Sequence, residues 1–286
     1  MISPLEIKIP NHERSANELV KLAFAHLFLV LHKSWKWVFL WSAVSVALLK
    51  VLLQLNQFGL AFIVGYFSPN SDAQYWNDLE RNLYAGFAGT ILVYILAVKI
   101  LRQSTAFAGL KFVTPLMAVL LALTAGFIAG VVSAVGLVFL LLPGLYLFAA
   151  LQYAPLIVFV KNLTPTQAVK LSWQCVHTST PSRKNGLFGS NFWISVALGT
   201  TNLIFQLLLE GLKWCGEYAW KHTSLSSHSG GLAVELMTTL LSVFISYVGG
   251  IFTILMTVEF FADVMAFSPV GAFLRQHTIG TEPEPK

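Results

Sequence analysis

Of the 286 residues, 56% are hydrophobic and only 11% are charged, less than half the charged share of a soluble domain, so most of this surface faces something other than water. The formal net charge is +5, but the basic residues are scattered between apolar runs and form no continuous patch for a nucleic acid. Two cysteines, Cys175 and Cys215, are too few and too far apart for a disulfide framework or a zinc site.

Residues 1–14 read as a polar tail. They lack the basic stretch, apolar core and small-residue cleavage site of a signal peptide, so no cleavage is expected. Six stretches then approach the 20 or so apolar residues that cross about 30 Å of hydrocarbon: 36–55, 83–101, 112–133, 136–160, 188–211 and 233–262. The sixth is long enough to run past the bilayer, and Glu259 and Asp263 near its end point to a water-exposed extension. Residues 266–286 read as a cytoplasmic tail. The expected fold is an all-α polytopic membrane domain over 15–265, with six transmembrane helices.

Charge sets the orientation. With the N-terminus inside, fourteen of the 18 basic residues fall in cytoplasmic segments and three (Arg81, Lys213 and Lys221) outside, which is the positive-inside pattern. Trp35, Trp37 and Trp41 at the inner end of the first span, and Trp214 and Trp220 after the fifth, read as headgroup-level anchors. Both termini are then cytoplasmic, and the two cysteines lie on opposite sides of the membrane.

Two cytoplasmic segments resemble each other. SANELVKLAF begins at Ser15 and TPTQAVKLSW at Thr164; each opens with a capping box, Ser15 with Glu18 and Thr164 with Gln167. Pro165 takes the first helical position, where its missing N–H costs nothing. On a helical wheel Leu171, Cys175, Ala168, Val176, Val169 and Trp173 share one side, and Leu19, Ala23, Leu27 and Val30 line the other copy. These read as interfacial helices near 15–34 and 164–177, lying on an anionic inner leaflet. A third copy near 104–111 starts at Ser104 without an acid or amide at the capping position.

No HExxH, GxSxG or phosphate-binding glycine loop is present, and the seven histidines are scattered. No catalytic residue, metal site or cofactor is expected. Polar side chains within spans are candidates for function or for helix–helix hydrogen bonding: Gln152 in the fourth, Asn202 and Gln206 in the fifth. Gly126 with Gly130, and Gly249 with Gly250, read as close-approach positions between helices.

The segment from Leu142 to Trp173 stands apart. Leu142-Pro143-Gly144, an apolar run with Pro155, then the capped Ala168-Val169-Lys170-Leu171-Ser172-Trp173 resemble the core motif of the YciC-like uncharacterised bacterial inner-membrane proteins. The arrangement is also similar to the membrane domain attached to some glycerophosphodiester phosphodiesterases. Such families often carry a basic residue after Pro-Gly, where this chain has Gln152, and an acid before the amphipathic helix, where it has Lys161-Asn162. The resemblance implies an integral inner-membrane protein; the phosphodiesterase chemistry belongs to a separate domain and does not carry over. The Pro143-Gly144 break reads as a kink in a 25-residue fourth span.

The expected function is a non-enzymatic scaffold, or a subunit that meets lipids of the inner leaflet, a protein partner or a second copy, in envelope maintenance. The alternative is a small-molecule or lipid transporter with a cavity between spans four and six, since broken helices and internal repeats are transporter features.

Overall fold

A computed structural model describes residues 7–55, 90–91, 93–108, 110–139, 141–160, 163–177, 190–221 and 230–279. The first outer loop, the first seven residues of the predicted second span and the side chains of Lys50, Pro143, Trp220, Lys221 and Glu235 lie outside what is described. Among the described residues the structure is all-helical, apart from one isolated bridge between Phe112 and Val160.

The helices are α1 (Ala16–Leu55), α2 (93–103), α3 (Pro115–Phe139), α4 (Leu141–Leu151), α5 (Ala154–Ile157), α6 (Pro165–His177), α7 (Ser190–Lys221), α8 (Gly230–Phe267) and α9 (Pro269–Ile279). Three of them contain segments long and apolar enough to cross a membrane: Pro115–Ser133, Asn191–Gly216 and Leu240–Phe267. These are the mark of a membrane protein.

The described residues fall into two compact units. One lies within Val30–Val93 and Ile204–Ile251; the other within Ile2–Leu29, Tyr94–Leu203 and Phe252–Lys286. In the first unit, Val243, Tyr247 and Val248 of α8 are buried, while Leu207, Leu208 and Leu212 of α7 are exposed, a stripe suited to lipid. A Cβ on Gly249 would stand 2.4 Å from Gln206 Oε1, and one on Gly250 would stand 2.8 Å from Val93, so either addition would make the neighbouring side chain shift. Gln206 is thus placed against the backbone of α8.

The second unit holds the N-terminal segment and the C-terminal corner. Ser15 caps α1: its N–H donates to Glu18 Oε2 at 2.7 Å and the Glu18 N–H returns to Ser15 Oγ at 3.4 Å. Those hydrogen bonds hold the Glu18 carboxyl below its ordinary value. With neither Gly nor Pro between Ala16 and Leu55, nothing stops the helix, and the predicted interfacial segment and first span form one rod of 40 residues. Leu19, Ala23, Leu27 and Val30 are 0–3% exposed. This face is spent on protein rather than laid on lipid, which corrects the interfacial reading.

The N-terminal segment is not a free tail. The Ile7 N–H donates to Ser104 Oγ at 3.1 Å, the Ala106 N–H donates to Ile7 O at 3.1 Å, and Ile7 itself is buried. Ser104 is thereby occupied, and its hydroxyl donates back to Ile100 O at 2.6 Å. In place of a third amphipathic helix the chain makes only a short 3-10 turn at Thr105–Phe107, since Ser104 is not free to cap and no acid or amide stands in for it. Arg102 clasps the following loop, donating to the carbonyls of Phe112 and Val113.

The C-terminal end also differs from a tail. α8 runs to Phe267, turns at Ser268 and continues as α9, burying Val270 and Leu274. Ser268 Oγ accepts the Val270 N–H at 3.2 Å. A Cβ on Gly271 would meet the Met265 carbonyl oxygen at 2.5 Å, so only glycine lets the corner close.

Candidate functional site

The predicted fourth span does not form as one helix. α3 continues to Phe139, and α4 begins at Leu141 and returns along it; Ala129 packs with Ala150 and Leu151. A Cβ on Gly136 would lie 3.0 Å from Gly144 Cα, so the two glycines let the backbones meet. Pro143 is the third residue of α4, within the first turn, where an N–H has no intrahelical partner to lose. It opens a helix instead of kinking one.

The break comes ten residues later. α4 ends after 11 residues, about 16 Å, the chain turns at Gln152 and Tyr153, and Pro155 sits near the start of the four-residue α5. Pro155 has no N–H for the carbonyl four residues back, and the turn takes the neighbouring carbonyls out of the helical ladder as well. Polar side chains take up those carbonyls. Ser195 Oγ donates to Ala149 O at 2.6 Å, and Ser172 Oγ donates to Ala150 O at 2.8 Å; both serines are 0% exposed. Gln152 Nε2 reaches Ser195 Oγ at 2.7 Å and Tyr153 Oη at 3.1 Å. Beside it, Thr253 Oγ1 donates to Asn202 Oδ1 at 2.7 Å.

The space between Gln152, Asn202, Thr253 and Thr257 is about 10 Å³, the room of a single water. It brings Gln152 and Asn202 together, with Gln206 elsewhere against Gly249. Gln152 and Asn202 hold helices to each other beside a repaired break. A Cβ on Gly126 would lie 3.6 Å from the Pro155 ring, an ordinary contact, and one on Gly130 would meet nothing within 4 Å, so the pair does not act as one close-approach motif.

A second polar cluster was not read from the sequence. The Arg14 backbone N–H donates to Asp263 Oδ2 at 2.9 Å and its Nε to Oδ1 at 2.5 Å. Nη1 donates to Glu259 Oε2 at 2.5 Å and Nη2 to Glu259 O at 2.6 Å. Glu259 and Asp263 are 1% and 4% exposed, which overturns the water-exposed extension. His26 Nδ1 stands 2.8 Å from Glu259 Oε1, at ion-pair distance. One guanidinium thus faces two carboxylates, with the His26 ring beside Glu259.

The third feature is the surface of α6. Thr164 and Gln167 close their box, the Thr164 N–H donating to Gln167 Oε1 at 2.9 Å and the Gln167 N–H to Thr164 Oγ1 at 3.3 Å. Ala168, Leu171, Cys175 and Val176 are buried, and Val169 packs on the Ala129 cluster. Here too the apolar face is docked on protein. At about 100° per residue Ser172 falls in the middle of that buried arc and Trp173 on its edge. Trp173 is accordingly 36% exposed, its ring stacked on His177 at 4.2 Å.

Between α6 and α9 an open groove of about 830 Å³ is floored by Leu163, Leu171 and Val270 and walled by Trp173 and Phe273. Lys170, Gln167, Gln174 and His177 complete it. His177 is held at both ends, Nδ1 donating to Trp173 O at 2.7 Å and Nε2 bonding the Tyr146 hydroxyl.

Compared with protein-family models, with curated proteins and with solved structures, the chain matches none. Among the described residues no group of three or more His, Cys, Asp or Glu is placed to hold a metal ion.

Proposed function

We propose that this chain is a six-span bacterial inner-membrane protein of the YciC-like kind, with both termini inside. It acts as a non-enzymatic scaffold that meets lipid or a protein partner at the inner leaflet, in envelope maintenance. One observation carries the choice against a transporter. The intramembrane polar side chains most suited to line a path, Gln152 and Asn202, are tied to Ser195 and Thr253 around a space for one water. The docked amphipathic helices add to this, since they brace the protein and leave the polar face of α6 outward, with Gln167, Lys170 and Gln174 exposed.

Purification of the full chain in nanodiscs, followed by identification of what travels with it, tests the reading. A protein or lipid retained in constant proportion across preparations is expected. A bare monomer in unselected lipid would overturn the scaffold.

A further inference from the structure

We infer that the groove between α6 and α9 binds the headgroup and upper acyl chain of an anionic phospholipid. This deepens the proposed scaffold function and rests on that reading. The groove has the size of a small-molecule site and two distinct surfaces. Its floor of Leu163, Leu171 and Val270 is apolar enough for hydrocarbon. Its edge offers the exposed Lys170 ammonium and the Gln167 amide, whose oxygen is spent on the cap while its N–H groups are left to donate. Among the described residues lining it there is no carboxylate, so a phosphate would meet positive charge without a competing anion.

Position selects lipid as the source of that anion. α9 starts at Pro269, two residues past the end of the apolar segment Leu240–Phe267. If that segment crosses the bilayer, the groove opens at headgroup depth. Trp173 and Phe273, 36% and 48% exposed, are then the aromatic side chains expected at that level. Trp173 is stiffened by its stack on His177, which is itself bonded at both ring nitrogens and serves as wall, not as ligand donor.

The test uses the full chain with a photo-reactive benzophenone side chain in place of Phe273, and separately in place of Gln174. Each is reconstituted in nanodiscs of equal parts phosphatidylglycerol and phosphatidylcholine. Cross-linked phosphatidylglycerol should exceed phosphatidylcholine about fivefold, the equivalent of the roughly 1 kcal/mol that one lysine contributes beside an anionic headgroup. Lys170→Gln should return the ratio to that of the bulk and Lys170→Glu should invert it, while Lys213→Gln, on α7, should leave it unchanged. A bulk ratio in the parent chain overturns the proposal, as does enrichment indifferent to both Lys170 variants, or cross-linking to protein instead of lipid. If the ratio is bulk-like while a partner still co-purifies in constant proportion, the lipid site falls and the scaffold stands.

Discussion

Replacing Arg14 by alanine would strand two carboxylates that are 1% and 4% exposed. Breaking one side of such a buried pair costs about 3–5 kcal/mol, so Arg14→Ala should sharply lower the unfolding midpoint in detergent. Converting Arg14, Glu259 and Asp263 together to leucine should recover most of the loss, because no charge then remains buried. An unchanged midpoint for Arg14→Ala would mean that water reaches the carboxylates. The cluster was half legible. Glu259 and Asp263 stand four apart in an apolar helix, so like charges share one face and require a cation nearby. Nothing local names that cation, since Arg14 lies 249 residues before Asp263.

Among the elements, the interrupted leg from Leu141 to Ile157 is the most informative. Ser195→Ala would leave the Ala149 carbonyl without its short bond and remove an acceptor of Gln152. A loss of about 1–3 kcal/mol is expected, read by chemical unfolding in detergent. The exposed Thr200, five residues further along α7, serves as a control, with Thr200→Ala expected to be nearly silent. Equal effects at both positions would show that Ser195 is not repairing a break. Hydrophobic periodicity identified the buried faces of α1 and α6, because spacing alone decides which residues point together. It could not tell whether protein or lipid would cover them. Nor could apolar composition show where a helix ends. Pro143 and Pro155 read alike, yet one opens a helix and the other follows a turn, a difference set by helical register. Ser172 was within reach, since the wheel places it at the centre of the buried arc, where a hydroxyl must find an acceptor.

For the whole molecule, orientation is the proposition most open to direct test. In sealed membranes an impermeant maleimide should reach the exposed Cys215 from the outer side only. Cys175 should stay unlabelled in the folded chain even above the ordinary thiol value of 9.0, because burial pushes it to about 12 and the thiolate is the reacting species. Labelling of Cys215 from the cytoplasm alone would overturn the orientation. The membrane class was plain from composition, because 11% charge cannot clothe a water-facing surface. The stitching of the N-terminal segment was not plain, because hydrogen bonds such as that from Ile7 to Ser104 leave no periodic trace. That stitching also imposes an order on biosynthesis. Arg14 leaves the ribosome 249 residues before Asp263, so its charge must remain in water while the intervening helices enter the bilayer. The Arg14 contacts can close only after the end of α8 emerges, and a nascent chain halted short of that point has its N-terminal clasp still open.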